Sequence, residues 1–100
     1  MTLKARVKAV IETSRLNNNE KLFCVAVLAN DKISIVDLHN CLSMSMAMLT
    51  RISEMLLEYG YVEREQISVR ARRKDVWHMT DKLFQDAEST DKTYYRKISD

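Results

Sequence analysis

Met46-Ala47-Met48-Leu49-Thr50-Arg51-Ile52-Ser53-Glu54-Met55-Leu56-Leu57-Glu58-Tyr59-Gly60 is the most legible stretch of this 100-residue chain. On a wheel of about 100° per residue, Met48, Leu49, Ile52, Met55, Leu56 and Tyr59 fall in one arc. Ala47, Thr50, Arg51, Glu54 and Glu58 fall in the opposite one. The stretch predicts a helix over 46–59 that buries one stripe and presents a small, polar face with Arg51 in its N-terminal half. Ser45 is a suitable N-cap, because its hydroxyl can accept a free backbone N–H of the first turn. Gly60, the only glycine in the chain, stands where a left-handed residue ends a helix at least cost.

Upstream, Ser34-Ile35-Val36-Asp37 fits a capping box, with an acidic residue three positions after the cap. It predicts a short helix over 35–42 that offers Val36, Leu38 and Leu42 to the core. Ser43-Met44 is then a tight connector. Met44 and Met48 can turn inward, whereas Met46 lies at the edge of the exposed arc. Residues 20–29 are apolar almost all round, which suits a buried helix or a buried strand. Ala26 and Ala29 are poor strand residues and Glu20-Lys21 suits a helix start, so a helix is expected, ended by Asn30-Asp31. Asn17-Asn18-Asn19 is expected to break this segment from a first helix over 3–16, where Leu3, Val7, Val10 and Ile11 are near helical spacing.

Downstream of Gly60 the period changes. Residues 61–67 alternate loosely and read as a strand, and Val76-Trp77-His78-Met79 reads as its partner. Residues 68–74 between them are expected to form the tip of a hairpin, a wing spanning about 66–75. Across residues 63–74 there are five basic and two acidic side chains, the densest positive cluster in the chain. Trp77 is expected to pack strand against helix. Thr80-Asp81 caps a final helix from about Lys82; residues 88–100 read as a C-terminal extension, with 88–93 a loop or frayed end and 94–100 either a short further helix or a loose tail.

Composition narrows the class. Hydrophobic residues make up 46% and charged residues 30%, which is globular composition and enough for one modest core in a single domain over 1–100, its centre at about 20–87. No proline and one glycine argue against an all-β protein, which needs frequent turn residues. The fold class expected is mainly α with a small β-hairpin. No apolar run approaches the roughly 18 residues of a membrane span and no signal-type segment opens the chain, so a cytoplasmic protein with no membrane association is expected. Cys24 and Cys41 are expected to be reduced core residues. His39-Asn40-Cys41 is not a zinc motif, no paired C-x-x-C occurs, and one glycine cannot build a phosphate-cradling loop. His39 and Cys41 are two apart on a helix, so their side chains diverge. No metal, cofactor or enzymatic activity is expected. The net charge of +2 is too mild to establish a nucleic-acid partner, so the distribution of charge has to decide.

The order is helix, helix, short helix, tight turn, amphipathic helix, glycine, strand, basic hairpin, strand, helix. A tight connection between 42 and 46 sets two helices at a steep angle, which is helix-turn-helix geometry, and the hairpin after it makes a wing. A helix of about 10–12 Å fits the major groove of duplex DNA, and a basic loop beside it can reach phosphates or the minor groove. Residues 33–52, from Ile33-Ser34-Ile35-Val36-Asp37-Leu38 through Ser45-Met46-Ala47-Met48-Leu49-Thr50-Arg51-Ile52, resemble the helix-turn-helix of MarR-type winged-helix regulators, whose pattern there is L-T-x-x-E-L-A-x-x-L-x-L-S-x-S-T-V-S-R. Leu56-Leu57-Glu58-Tyr59-Gly60-Tyr61-Val62-Glu63-Arg64 is similar to the family's L-E-x-x-G-L-V-x-R. Arg72-Arg73 and Met79-Thr80-Asp81-Lys82 fall where the family has its wing D-R-R and then L-T-E-K. The resemblance covers about residues 20–87. It departs at Ala71, which replaces the family's wing Asp, and in a wing without Gly or Pro.

What the resemblance implies is a winged helix-turn-helix with flanking terminal helices, acting as a small transcriptional regulator. Ser45, Met46, Ala47, Thr50 and Arg51 would enter the major groove, with Arg64, Arg70, Arg72, Arg73 and Lys74 on the DNA backbone or minor groove. A homodimer through the terminal helices is expected, because Leu3, Val7, Val10, Ile11, Leu83, Phe84 and Ala87 exceed what a small core needs. The family's ligand and dimer region uses long terminal helices. Those parts are short here, so a small-molecule effector is doubtful. The alternative is a winged-helix protein-interaction module, for example an accessory factor in replication or transcription, docking through a Met44/Met46 patch.

Overall fold

The structure is a computed structural model and describes residues 2–85. It contains α1 (Leu3–Glu12), α2 (Asn18–Asn30), β1 (Ile33–Ser34), α3 (Ile35–Leu42), α4 (Met46–Tyr59), β2 (Val62–Val69) and β3 (Arg72–Met79). Residues 82–85 begin a further helical turn. Ala87 and the expected extension over 88–100 lie outside the described residues. The fold is α+β, with four helices packed with a three-stranded antiparallel sheet in the order β1-β3-β2. No helix among the described residues is long and apolar enough to cross a membrane.

α1 is shorter than the sequence reading. It stops at Glu12 because Thr13 turns extended (φ −67°, ψ 138°), and Leu16 beyond it is buried in the core without being helical. The Asn run does not break structure for three residues. Asn17 alone is the cap, and Asn18 and Asn19 already belong to α2. The Asn17 side chain accepts from the Glu20 N–H at 2.9 Å, while the Glu20 carboxylate accepts from the Asn17 N–H at 2.8 Å, a complete capping box. Both interactions fill backbone donors that a helix start would leave unpaired.

α2 is the central helix, in contact with α1, α3, α4 and β3. That placement explains its all-round apolar sequence. Phe23, Cys24, Ala26 and Val27 are buried, and the Phe23 ring meets Trp77 edge-on, with centroids 6.5 Å apart and planes at 71°. Trp77 does pack the sheet against a helix. Burial, and to a lesser degree the nearby Glu20 charge, pushes the Cys24 thiol from 9.0 up to about 12. Cys41, expected in the core, is exposed, although it stands only one turn after the buried Leu38. A thiol reagent is therefore expected to modify Cys41 rapidly in the native protein and Cys24 only as fast as the chain opens. A Cys41→Ser variant that still shows one fast thiol would contradict this.

Asp31 and Lys32 adopt positive φ (42° and 58°) and turn the chain into β1, an element too short to be read from sequence. Ile33 pairs with Trp77 and Ser34 with Val76. Ser34 then serves a second purpose as the N-cap of α3, accepting from the Asp37 N–H at 3.2 Å and donating its hydroxyl to the Asp37 carboxylate at 2.9 Å. The acidic residue thus holds the capping hydroxyl rather than the cap's own N–H. Leu38 is fully buried and Leu42 partly so, but Val36 is exposed. It lies two residues from Leu38, about 200° around the helix.

In α4 the expected stripe holds at Leu49, Ile52 and Leu56, which are buried, and at Met48 and Met55, which are half-buried. Tyr59 departs from it: it is 41% exposed and its ring leans on that of Tyr61, with centroids 5.7 Å apart. Ser53 takes a buried place in the stripe by donating its hydroxyl to the Thr50 carbonyl at 2.7 Å. Gly60 (φ 79°) closes the helix. Its N–H donates to Leu57 and the Tyr61 N–H to Leu56, each at 3.0 Å, so the last carbonyls are filled and Tyr61 is swung into the core. A Cβ at this position would sit 3.2 Å from the Lys82 side chain.

The hairpin is longer and tighter than its sequence suggests. Residues 68, 69 and 72–74, expected as tip, are paired strand: Val69 faces Arg72, Ser68 faces Arg73 and Ile67 faces Lys74. Only Arg70 and Ala71 turn, both with positive φ (52° and 64°). That is the backbone of the two-residue turns that match strand twist. An L-residue pays about 1–2 kcal/mol in the left-handed region. Replacing Arg70 by Asn and Ala71 by Gly is therefore expected to raise stability by about 1 kcal/mol in urea denaturation; a decrease would mean the turn is formed otherwise.

Candidate nucleic-acid interface

α3 and α4 are joined by residues 43–45. Ser43 is left-handed (φ 54°, ψ 31°) and ends α3. Met44 is buried, and Ser45 returns to extended backbone as the N-cap of α4, accepting from the Met48 N–H at 3.1 Å. The hydroxyl proton of Ser45 is left to donate outward. Met46, Ala47, Thr50 and Arg51 follow, and all of them are exposed, as is Glu54. Met46 is 42% exposed, an edge position as the wheel indicates. Among the described residues Arg51 makes no ion pair, although Glu54 is one turn away. The first half of α4 thus presents a hydroxyl, small side chains and one uncommitted guanidinium, at the helix end where the backbone dipole is positive.

The wing's cations are less uniform than their sequence clustering implies. Paired residues of an antiparallel ladder share a face. The register puts Arg64 and Arg73 on the Trp77 face, and Arg72 and Lys74 on the Val76 and His78 face. Arg70 is at the tip. The Arg64 guanidinium carbon is 5.9 Å from the centre of the Trp77 ring, a cation–π contact that fixes its stem. Lys74 Nζ lies 3.6 Å from Asp37 Oδ2 at the start of α3. Both groups are about half exposed, so this ion pair is weak in energy, but it ties the wing to the helix-turn-helix. Arg70, Arg72 and Arg73 have no such partner among the described residues and are exposed.

At the base of the hairpin His78 Nε2 is 3.0 Å from Glu63 Oε2, and Lys32 Nζ is 3.5 Å from Glu65. His78, Lys32 and Glu65 rim a cleft of about 460 Å³ between α1, the end of α2 and the sheet, which Arg6 also lines. Among the described residues no cluster of three or more His, Cys, Asp or Glu is placed to hold a metal ion. Sequence reasoning missed three contacts: Asp37 with Lys74, Arg64 with Trp77, and His39, whose Nδ1 meets the Met44 carbonyl across the turn.

No family model matches the sequence, and no curated protein does either. Solved structures do match the fold. The chain aligns with a MarR protein from Peptoclostridium difficile at a TM-score of 0.64 and 24% identity, over 95% of this chain and 65% of that one. It aligns with the adhesin competence repressor AdcR from Streptococcus pyogenes at 0.63 and 16%, over 96% and 69%. With a variant of ZitR from Lactococcus lactis the values are 0.60 and 14%, over 99% and 80%. The chain therefore has the MarR-type winged-helix fold, as the resemblance over about residues 20–87 implies, and it spans a little under two thirds of the length of the first of these structures.

Proposed function

We propose that this chain is a sequence-specific duplex DNA-binding protein acting as a small transcriptional regulator. α4 enters the major groove by its N-terminal half, with Ser45, Met46, Ala47, Thr50 and Arg51 at the base edges. Arg64, Arg70, Arg72, Arg73 and Lys74 meet the DNA backbone or minor groove from the wing. The observation that carries this reading is the exposed first half of α4, held outward by a buried opposite stripe (Leu49, Ile52, Leu56). Glu54 and Glu58 lie toward the other end of the helix, where their charge does not oppose phosphates at the entry point. Phosphate contacts position such a protein, and base contacts from a groove helix specify the site.

The reading includes a homodimer. Val10, Leu83 and Phe84 are spent in the protomer's own core, but Leu3 (55%) and Ile11 (57%) of α1 remain exposed. A two-fold contact through the terminal helices would set two α4 helices about one duplex turn apart. The protein-interaction alternative needs a joint Met44/Met46 patch. Met44 is 7% exposed, which leaves Met46 alone and favours the DNA reading.

Selection from a pool of random duplexes at low salt, followed by sequencing, tests the proposal. An enriched two-fold symmetric site is expected. Recovery of no sequence above background would refute sequence-specific binding.

A further inference from the structure

We propose that His39 is a positioning residue for DNA reading, acting through the Met44 carbonyl to set where α4 begins. The inference rests on the DNA-binding reading above. Three observations meet at this turn. Ser43 holds a left-handed backbone (φ 54°) without being glycine, so the turn stores a conformational cost that its surroundings must offset. The His39 ring, in the last turn of α3, donates from Nδ1 to the Met44 carbonyl, five residues on and across the connector. Met44 itself is buried, which anchors the acceptor from below. The next residue is Ser45, the cap of α4 and the first of the proposed groove contacts. A shift of the Met44 peptide therefore moves Ser45, Met46 and Ala47 together.

The chemistry selects the form of the ring. A carbonyl can only accept, so Nδ1 must carry the proton, and the neutral ring is the Nδ1–H tautomer with Nε2 left as an acceptor toward solvent. Protonation adds a proton at Nε2 and keeps the Nδ1 bond. Asn at this position places an N–H donor on the same δ atom, so it can replace the ring's donor, and Ala cannot.

The test uses the full chain and its selected duplex. Wild type, His39→Asn and His39→Ala are compared for affinity on that duplex and on a scrambled one, at fixed salt. Because position 39 is on the exposed side of a helix, all three are expected to fold. His39→Ala is expected to lose roughly tenfold in the ratio of selected to scrambled binding, with the scrambled affinity and its salt dependence unchanged. His39→Asn is expected to keep most of the ratio. Nitrogen-15 NMR of the wild-type ring is expected to show the Nδ1–H tautomer at neutral pH, a readout that needs no variant. A ring protonated at Nε2 alone, or a His39→Ala ratio equal to that of wild type, would overturn the proposal. Failure of wild type to prefer any duplex would instead end the DNA reading, and the ring spectrum would still report on the clamp.

Discussion

Changing Arg72 and Arg73 together to Ala is expected to weaken duplex binding by one to two orders of magnitude at low salt and to flatten its dependence on salt. Each phosphate contact contributes about one unit to the slope of log affinity against log salt. The two residues are adjacent on β3 and so stand on opposite faces of the wing. The double variant removes one cation from each face, and the slope should fall by about one unit if one face meets DNA and by about two if the wing is straddled. The single variants separate these cases. Arg64 and Lys74 already have partners in Trp77 and Asp37, so their removal should change the slope less than removal of Arg72 and Arg73. An unchanged slope in the double variant would mean that the wing does not touch phosphate.

The second large effect is expected at Trp77. Its side chain is buried between the sheet and α2, edge-on to Phe23 and beneath Arg64. Trp77→Ala should cost about 3–5 kcal/mol, the range for emptying a buried aromatic site. A domain of this size has only about 5–15 kcal/mol in total, so the variant should be partly unfolded at 37 °C by circular dichroism. Trp77→Phe should be far milder. The indole N–H is buried without a hydrogen-bond partner among the described residues, so Phe removes volume and no bond. A Trp77→Phe loss as large as that of Trp77→Ala would show that the N–H is engaged after all.

What could be read from sequence was whatever is decided within a turn of chain. Ser34, Ser45 and Gly60 each announce a helix boundary through a local hydrogen bond or a left-handed backbone, and the boundaries of α3 and α4 follow from them. The exposed face of α4 was legible for the same reason: a helix converts spacing directly into direction. Asn17 was ambiguous because one side chain suits both a turn and a cap, and only the answering Glu20 decides. The strand content of 68–74 was hidden because Arg70-Ala71 lacks the Asn-Gly signature of the turn it makes. At the interface, the division of the wing cations between two faces depends on register, a property of two strands together. The ties from Asp37 to Lys74 and from His39 to Met44 depend on how α3 is set against its neighbours.

The sheet order leaves β2 as an open edge, eight residues long, with no strand beyond it among the described residues. Such a rim is a template for stacking one molecule on another through backbone hydrogen bonds, the first step of aggregation. Here Glu63-Arg64-Glu65-Gln66 follow directly on the first residue of the rim, Val62, so an approaching copy meets alternating charge that resists being stripped of water. A chain crowded against copies of itself can thus carry a protruding ribbon without the ribbons zipping together.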